Sequence, residues 1–305
     1  MHAWEAVQRT LNHIEERIGD EIEIEELAEI AALSLYYYQR LFARLVKKPV
    51  REYIKLRRLA RACGALRDRK NRIIDVAVEY GFGGRETFTR AFKDAYGIAP
   101  AQFRKRPLGL DHFDKPDLAL NYAKIDEGAQ LISDGMVLKM SRKTLDAPID
   151  FLGVAGHMPF KRGKMLGERP GVSGPDEIWR KLHKSIKDIP RLPGGRSIGV
   201  CYGGDAPEGH TTYFAGVEAA QGSHAPRFAS WRLPAREYVV CGFEAENAEQ
   251  LTACALGKAM KYTRLWLKDH GLIADGFFPE IYHQESPEAA YMELWIPFRK
   301  REHIN

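Results

Sequence analysis

Two groups of residues combine type and spacing in a way that could do chemistry. In the first, Arg85, Glu86, Thr87, Thr89 and Arg90 are threaded between aromatics that recur at four-residue spacing, Phe88, Phe92 and Tyr96. On a helix the aromatics form one buried stripe and the polar residues face outward near its N-terminal end. An arginine so placed can hold guanine with two hydrogen bonds. Glu86 can accept from the amino group of cytosine or can orient a neighbouring arginine. In the second group, Tyr291-Met292-Glu293-Leu294-Trp295-Ile296, period-two alternation puts Tyr291, Glu293 and Trp295 on one face of a strand. A carboxylate between two aromatic rings can take a cation or amine through charge pairing and cation–π attraction. Alone, it reads equally as a solvated or salt-bridged strand glutamate.

Catalytic and metal patterns are thin. Gly81-Phe82-Gly83-Gly84 follows a helix and not a strand, so it is no phosphate loop, and no G-x-S-x-G or H-E-x-x-H occurs. His157, His183 and His210 lack obvious partners. Cys63, Cys201, Cys241 and Cys254 show neither zinc spacing nor a disulfide framework and read as buried thiols. No catalytic residue, metal ligand or cofactor is expected.

The elements that must position these groups follow from periodicity. Ile74, Val76, Ala77 and Tyr80 stripe a helix that Gly81 ends, and Phe82 plugs the core behind it. The next helix starts from Gly84 and closes at Gly97, and Pro100 with Phe103 begins a short cap. That is a helix-turn-helix. Upstream, Trp4, Val7, Leu11, Ile14 and Ile18 predict a helix over 3–18, and Leu27 and Ala28 a second one over 24–31. A third begins after Ser34, with Leu41, Phe42 and Leu45 inward and Tyr36, Tyr37, Gln39, Arg40 and Arg44 outward or at the boundary. This makes a second helix-turn-helix. After Pro49, residues 50–67 read as one strut joining the two, with Tyr53, Ile54, Leu59, Cys63 and Leu66 apolar. Its Arg51, Lys55, Arg57, Arg58 and Arg61 read singly as soluble surface and as a group as able to track a phosphate backbone.

The net charge of +5 over 305 residues conceals a division. Residues 1–33 carry two arginines against nine acids, 34–106 carry 19 Lys and Arg against six acids, and 107–305 carry 25 against 26. Positive charge confined to the segment with the helix-turn-helix pattern fits phosphate contact. No apolar run approaches the roughly 18–20 residues that span a bilayer, and the N-terminus does not read as a signal peptide. A cytoplasmic location is expected.

Residues 107–135 lose periodicity and read as a linker. Beyond it, a strand at 151–157, a helix at 176–186 and strands at 197–202 and 211–217 are followed by the same order at 237–243, 251–269, 278–283 and 290–297. The predicted fold is thus an all-helical double helix-turn-helix domain over 1–106, followed by an α+β domain over 136–305. The latter is a duplicated β-α-β-β unit with both helices on one side of a mostly antiparallel sheet.

The first domain resembles the AraC family. The motif elements are Tyr80-Gly81-Phe82, Phe88-Thr89-Arg90-Ala91-Phe92-Lys93, Gly97-Ile98-Ala99-Pro100-Ala101-Gln102-Phe103-Arg104 and, in the first unit, Arg40-Leu41-Phe42. Gly84 departs from the family's usual serine. The stretch 136–300, with Leu233-Pro234-Ala235-Arg236-Glu237-Tyr238 and the closing Tyr291 to Pro297, resembles the gyrase-inhibitor-like (GyrI-like) effector-binding domain. The joint resemblance implies a transcription regulator, expected to be an activator. Tyr36, Gln39, Arg40 and Arg44 on one helix, and Arg85, Glu86, Thr87, Thr89 and Arg90 on the other, would contact promoter DNA in successive major grooves about 34 Å apart. It also implies a small-molecule effector held by Glu293. The residues themselves suit an apolar or cationic one, with Tyr291 and Trp295 beside it by strand alternation. Trp231 is placed near the cleft because it precedes the first strand of the second repeat. RNA polymerase is an implied partner and a membrane is not. The alternative for the second domain is a hydrolase using Glu293 with Tyr291 or Tyr282, or a module that sequesters a protein.

Overall fold

The computed structural model of the chain describes residues 3–159, 170–223, 225–283 and 290–300. These form two compact units. One is the described part of Met1–Ala123 with that of Leu166–Ser173, and the other the described part of Lys124–Met165 and Gly174–Asn305.

The first unit holds helices α1 (Ala3–Glu16), α2 (Ile24–Ile30), α3 (Leu35–Val46), α4 (Val50–Arg67), α5 (Ile73–Glu79), α6 (Arg85–Tyr96) and α7 (Pro100–Lys105). Each predicted helix is present, with the expected punctuation. Gly81 after α5 and Gly97 after α6 have φ of 70° and 75°, the left-handed region that costs glycine least. Ser34 and Gly84 occupy the N-cap positions, though the Ser34 hydroxyl makes no capping bond. Two cores result. Val7, Leu11, Tyr38, Phe42, Tyr53 and their neighbours make the first, and Leu59, Cys63, Phe88, Phe92, Tyr96 and Phe103 belong to the second. Along α4 the apolar stripe feeds first one and then the other, which is why so long a helix is continuous.

Residues 107–123, expected as part of a linker, are instead packed against the helices. Phe113 and Leu118 are buried in the first core, Leu118 N donates to Gln8 at 2.8 Å, and the Phe113 carbonyl accepts from Arg57 at 2.7 Å. Strand β1 (Leu110–Asp111) pairs with Gly171–Val172. The stretch shows no period because single side chains, and not a repeating face, anchor it.

The second unit is built on one ten-stranded sheet in which every pairing is antiparallel. In chain order come β2 (Gln130–Ser133), β3 (Met136–Thr144) and β4 (Ile149–Pro159), then β5 (Gly171–Val172) in the first unit. Helix α8 (Gly174–Ser185), β6 (Ser197–Tyr202), β7 (His210–Glu218), β8 (Ala229–Leu233) and β9 (Glu237–Ala245) follow. Last are α9 (Ala248–Gln250), a π-helical turn Leu251–Ala255, α10 (Leu256–Asp269), β10 (Leu272–Ala274), β11 (Phe278–Tyr282) and β12 (Ala290–Lys300). The sheet runs β2-β3-β9-β12-β11-β6-β7-β4-β8, with β10 beside β12. Strand β3 leads into β4 yet pairs with β9, while β8 leads into β9 yet pairs with β4. Both crossings were illegible in the sequence, because pairing between strands so far apart depends on partners no local pattern names.

The sheet has two dissimilar faces. One carries Leu152, Tyr213, Ala215 and Val217 against Ile178 and Leu182 of α8. The other carries Phe151, Val200, Phe214, Tyr238, Val240 and Trp295 in a core of its own. Alternation along β11 and β12 therefore sends Glu280 and Glu293 to opposite faces.

Candidate nucleic-acid interface and effector site

Helices α3 and α6 are each 12 residues long, with apolar positions in matching places: Tyr38, Phe42 and Val46 are buried in one and Phe88, Phe92 and Tyr96 in the other. Matching burial leaves matching surfaces. On α3, Tyr36, Tyr37, Gln39, Arg40 and Arg44 are exposed. On α6, Arg85, Glu86, Thr87 and Arg90 are exposed and Thr89 is half-buried. Arg40 and Arg90 thus occupy the same sixth position of their helices. Tyr36 is 71% exposed, and the Arg40 guanidinium lies over its ring at 5.5 Å. Both surfaces offer free donors on a rigid backbone, the arrangement that base-edge and phosphate contact needs.

Two arginines of α4, read as able to track a backbone, are engaged inside the unit. Arg57 Nε and Nη2 hold the Glu15 carboxylate at 2.6 and 2.9 Å, and Tyr53 donates to the same group at 2.9 Å. Burial alone would raise the Glu15 pKa, but the Arg57 guanidinium, with Tyr53 and Arg61, holds it below the usual carboxylate range. Arg58 is spent on backbone carbonyls, while Arg51, Lys55 and Arg61 stay exposed. Periodicity could not separate them, since all five lie off the apolar stripe.

In the second unit, Glu293 is buried at 4% exposure and carries four partners. Lys143 Nζ at 2.7 Å and the Tyr291 hydroxyl at 2.9 Å donate to Oε1, while Trp295 Nε1 at 2.8 Å and His283 Nε2 at 3.3 Å face Oε2. Burial pushes its pKa up, but the His283, Lys143 and Trp295 contacts outweigh that and hold it well below the usual range. Beside it opens a cleft of about 420 Å³, lined by Lys139, Ser141, Lys143, Gly242, Tyr291 and Glu293 among others. Trp295 lies buried behind the carboxylate and not in the cleft lining. Trp231 does not line it either; it packs against Phe151, Phe214 and Phe277.

A second carboxylate that the sequence reading passed over lies on the opposite face. Glu280 Oε2 accepts from the hydroxyls of Tyr213 at 3.0 Å and Tyr282 at 2.9 Å, and Trp179 Nε1 of α8 donates to Tyr213 at 2.9 Å. Trp179 meets the Tyr282 ring edge-on at 5.0 Å. Among the described residues no cation pairs with Glu280, so desolvation pushes its pKa up to about 7 against the two tyrosine hydrogen bonds. Gly199 supplies the space, since a Cβ there would fall 2.9 Å from Oε2. The available signal was Glu280-Ile281-Tyr282, which puts acid and phenol two apart on one strand face. Tyr282 thus serves Glu280, whereas Tyr291 serves Glu293.

The other groups are quieter. His157 pairs with Asp205 at 3.2 Å and His210 Nδ1 lies 3.2 Å from the Glu208 carbonyl, partners the sequence did not suggest. Cys63 and Cys241 are buried, while Cys201 and Cys254 are half-buried. Among the described residues no group of three or more His, Cys, Asp or Glu could hold a metal ion, and no helix is long and apolar enough to cross a membrane.

Comparison with known proteins agrees with this division. Residues 27–106 match a helix-turn-helix domain, and residues 146–299 match the GyrI-like small molecule binding domain. The HTH-type transcriptional regulator YbfP of Bacillus subtilis is 39% identical over 104 residues, 34% of this chain and 35% of that protein. The regulatory protein SoxS of Salmonella typhimurium is 31% identical over 100 residues, 33% of this chain and 94% of SoxS. SAV2435, solved bound to tetraphenylphosphonium, is 17% identical with a TM-score of 0.40, covering 53% of this chain and 94% of that one. The match thus spans about a third of YbfP, whereas it takes in nearly all of SoxS. This chain belongs to the AraC family of DNA-binding transcription regulators and carries a GyrI-like small-molecule-binding domain.

Proposed function

We propose that the chain is a transcription activator that grips promoter DNA with both recognition helices and answers to a small effector in its second unit. The observation that carries the reading is the equivalence of α3 and α6: equal length, the same buried positions, and an exposed arginine at the same place in each. Two such helices on one unit suit an asymmetric site with two segments about one helical turn apart. Arg40 and Arg90 read base edges, and Tyr36, Gln39, Arg44, Arg85, Glu86, Thr87 and Thr89 supply neighbouring base or phosphate contacts. RNA polymerase is the partner through which bound protein acts.

The effector is a small organic cation with aromatic or apolar surface. Glu280 anchors it: a carboxylate with no described cationic partner, ringed by Tyr213, Tyr282 and Trp179, gains from a ligand what the fold does not supply. The open cleft beside Glu293 and Tyr291 favours a second placement, with Trp295 behind it. There an incoming cation must displace Lys143. The order β4-α8-β6-β7 and β9-α10-β11-β12 supports reading the unit as two copies of one β-α-β-β element meeting at β6 and β11.

Selection of duplexes from a random pool by full-length protein, with Arg40→Ala and Arg90→Ala in parallel, tests the DNA reading. One asymmetric two-segment motif is expected, degraded at a different segment by each variant; only salt-sensitive, sequence-independent binding would refute it. Titration with tetraphenylphosphonium against Glu280→Gln and Glu293→Gln distinguishes the two placements.

A further inference from the structure

We infer that Arg58 fixes the spacing at which the two recognition helices meet DNA, an inference that rests on both helices reading the duplex. The helical unit has two separate cores. Along α4, Tyr53, Ile54 and Leu56 enter the first, and Leu59, Ala62 and Cys63 the second. Arg58 stands where one core gives way to the other.

Its guanidinium is tied to both bodies. Nε donates to the Ile18 carbonyl at 2.9 Å and Nη2 to the Asp20 carbonyl at 2.5 Å, in the chain just after α1; Ile18 packs on the first core. Nη1 donates to the Gly81 carbonyl at 3.3 Å, in the turn between α5 and α6, which borders the second core. A planar fork of donors at fixed angles holds acceptors on two bodies at one relative setting. Two glycines make the approach possible. A Cβ on Gly81 would fall 2.6 Å from Arg58 Nη1, and one on Gly19 would fall 3.0 Å from the Glu79 carbonyl at the end of α5. Helix α3 moves with the first core and α6 with the second, so the clamp sets their separation and rotation. Adding one base pair between the segments displaces the far one by about 3.4 Å and turns it by about a tenth of a turn. A clamped unit cannot follow that change, whereas an unclamped one bends along α4 and does. Arg58 is therefore a positioning residue for specificity: it touches no base, yet it decides which spacings are read.

The test uses full-length protein and the motif selected by the wild type, with the segment spacing varied by one and two base pairs in each direction. Wild type, Arg58→Ala, Arg58→Met and, as a control, Lys55→Ala are titrated against the series. Methionine keeps the apolar stem and removes the donors, so it retains packing where alanine fails to fold. Wild type and Lys55→Ala are expected to lose about tenfold in affinity for each base pair of change, as for a mismatched site. The Arg58 variants should lose less than about threefold, with weaker binding at the native spacing. If wild type selects no two-segment motif, the reading of two DNA-binding helices fails. A two-segment motif with the wild-type spacing profile retained in folded Arg58→Met overturns the role of Arg58 alone.

Discussion

Lys143 on β3 and Glu293 on β12 meet at 2.7 Å across the intervening strand β9. Because His283, Trp295 and Tyr291 complete the carboxylate's contacts, Glu293 is held ionised in the folded protein. A carboxyl whose pKa is lower folded than unfolded contributes stability above its unfolded value, and that stability is lost as pH falls toward the folded value. Thermal melts from pH 7 to pH 3 should show wild type losing stability below about pH 4.5 more steeply than Glu293→Gln. Lys143→Ala should cost about 1–2 kcal/mol at pH 7, less than the break of a fully buried ion pair, because Lys143 is itself 43% exposed and solvent screens the contact. Equal pH slopes in wild type and Glu293→Gln would count against this account.

Glu280 has the opposite sign. Its pKa of about 7 is raised by burial, so its cost to the fold begins above the ordinary carboxylate value and is complete once pH passes about 7. Glu280→Gln should therefore stabilise the protein by about 3 kcal/mol more at pH 8 than at pH 4, measured by denaturant unfolding at the two pH values. A bound cation favours the ionised form. Its affinity should fall about tenfold per pH unit below the folded pKa, with a proton released on binding near pH 6. Calorimetry in two buffers of different ionisation enthalpy reads that proton directly.

Arg57 should behave as a structural residue and not as a phosphate contact. Removing it leaves the Glu15 carboxylate, only 9% exposed, without its bidentate partner, at a cost of about 3 kcal/mol. The salt dependence of DNA binding should be unchanged in Arg57→Ala. An exposed arginine such as Arg51 should instead reduce the salt slope by about one unit if it contacts a phosphate. A reduced slope in Arg57→Ala would contradict this structural role.

The separate cores predict uncoupled damage in the helical unit. Phe92 is fully buried against Phe88, Tyr96 and Phe103, so Phe92→Ala should cost about 3–5 kcal/mol. Hydrogen exchange should accelerate over α5 to α7 while the amides of α1 to α3 keep most of their protection. Uniform acceleration across all seven helices would show a single cooperative core.

The amino-acid sequence by itself determined the helices of the first unit almost to the residue, but not the packing of residues 107–123 against them. Each helix there carries its own apolar period, two of them (α5 and α6) are followed by a left-handed glycine, and a repeating apolar stripe is a local property that survives without knowledge of the partner. The outward positions of Arg40 and Arg90 follow from the same stripe. It also marked most strands of the second unit and the alternation that singles out Glu293. Tertiary structure alone decided the rest, because the deciding partners are distant in sequence. Lys143 meets Glu293 only once β3 has crossed to β9, and Glu280 is isolated only once α8 has laid Trp179 over Tyr213. Arg57 and Arg58 leave the solvated face only when Glu15 and the carbonyls of Ile18, Asp20 and Gly81 are brought to them. Local periodicity fixes which way a side chain points, and only packing fixes what it meets there.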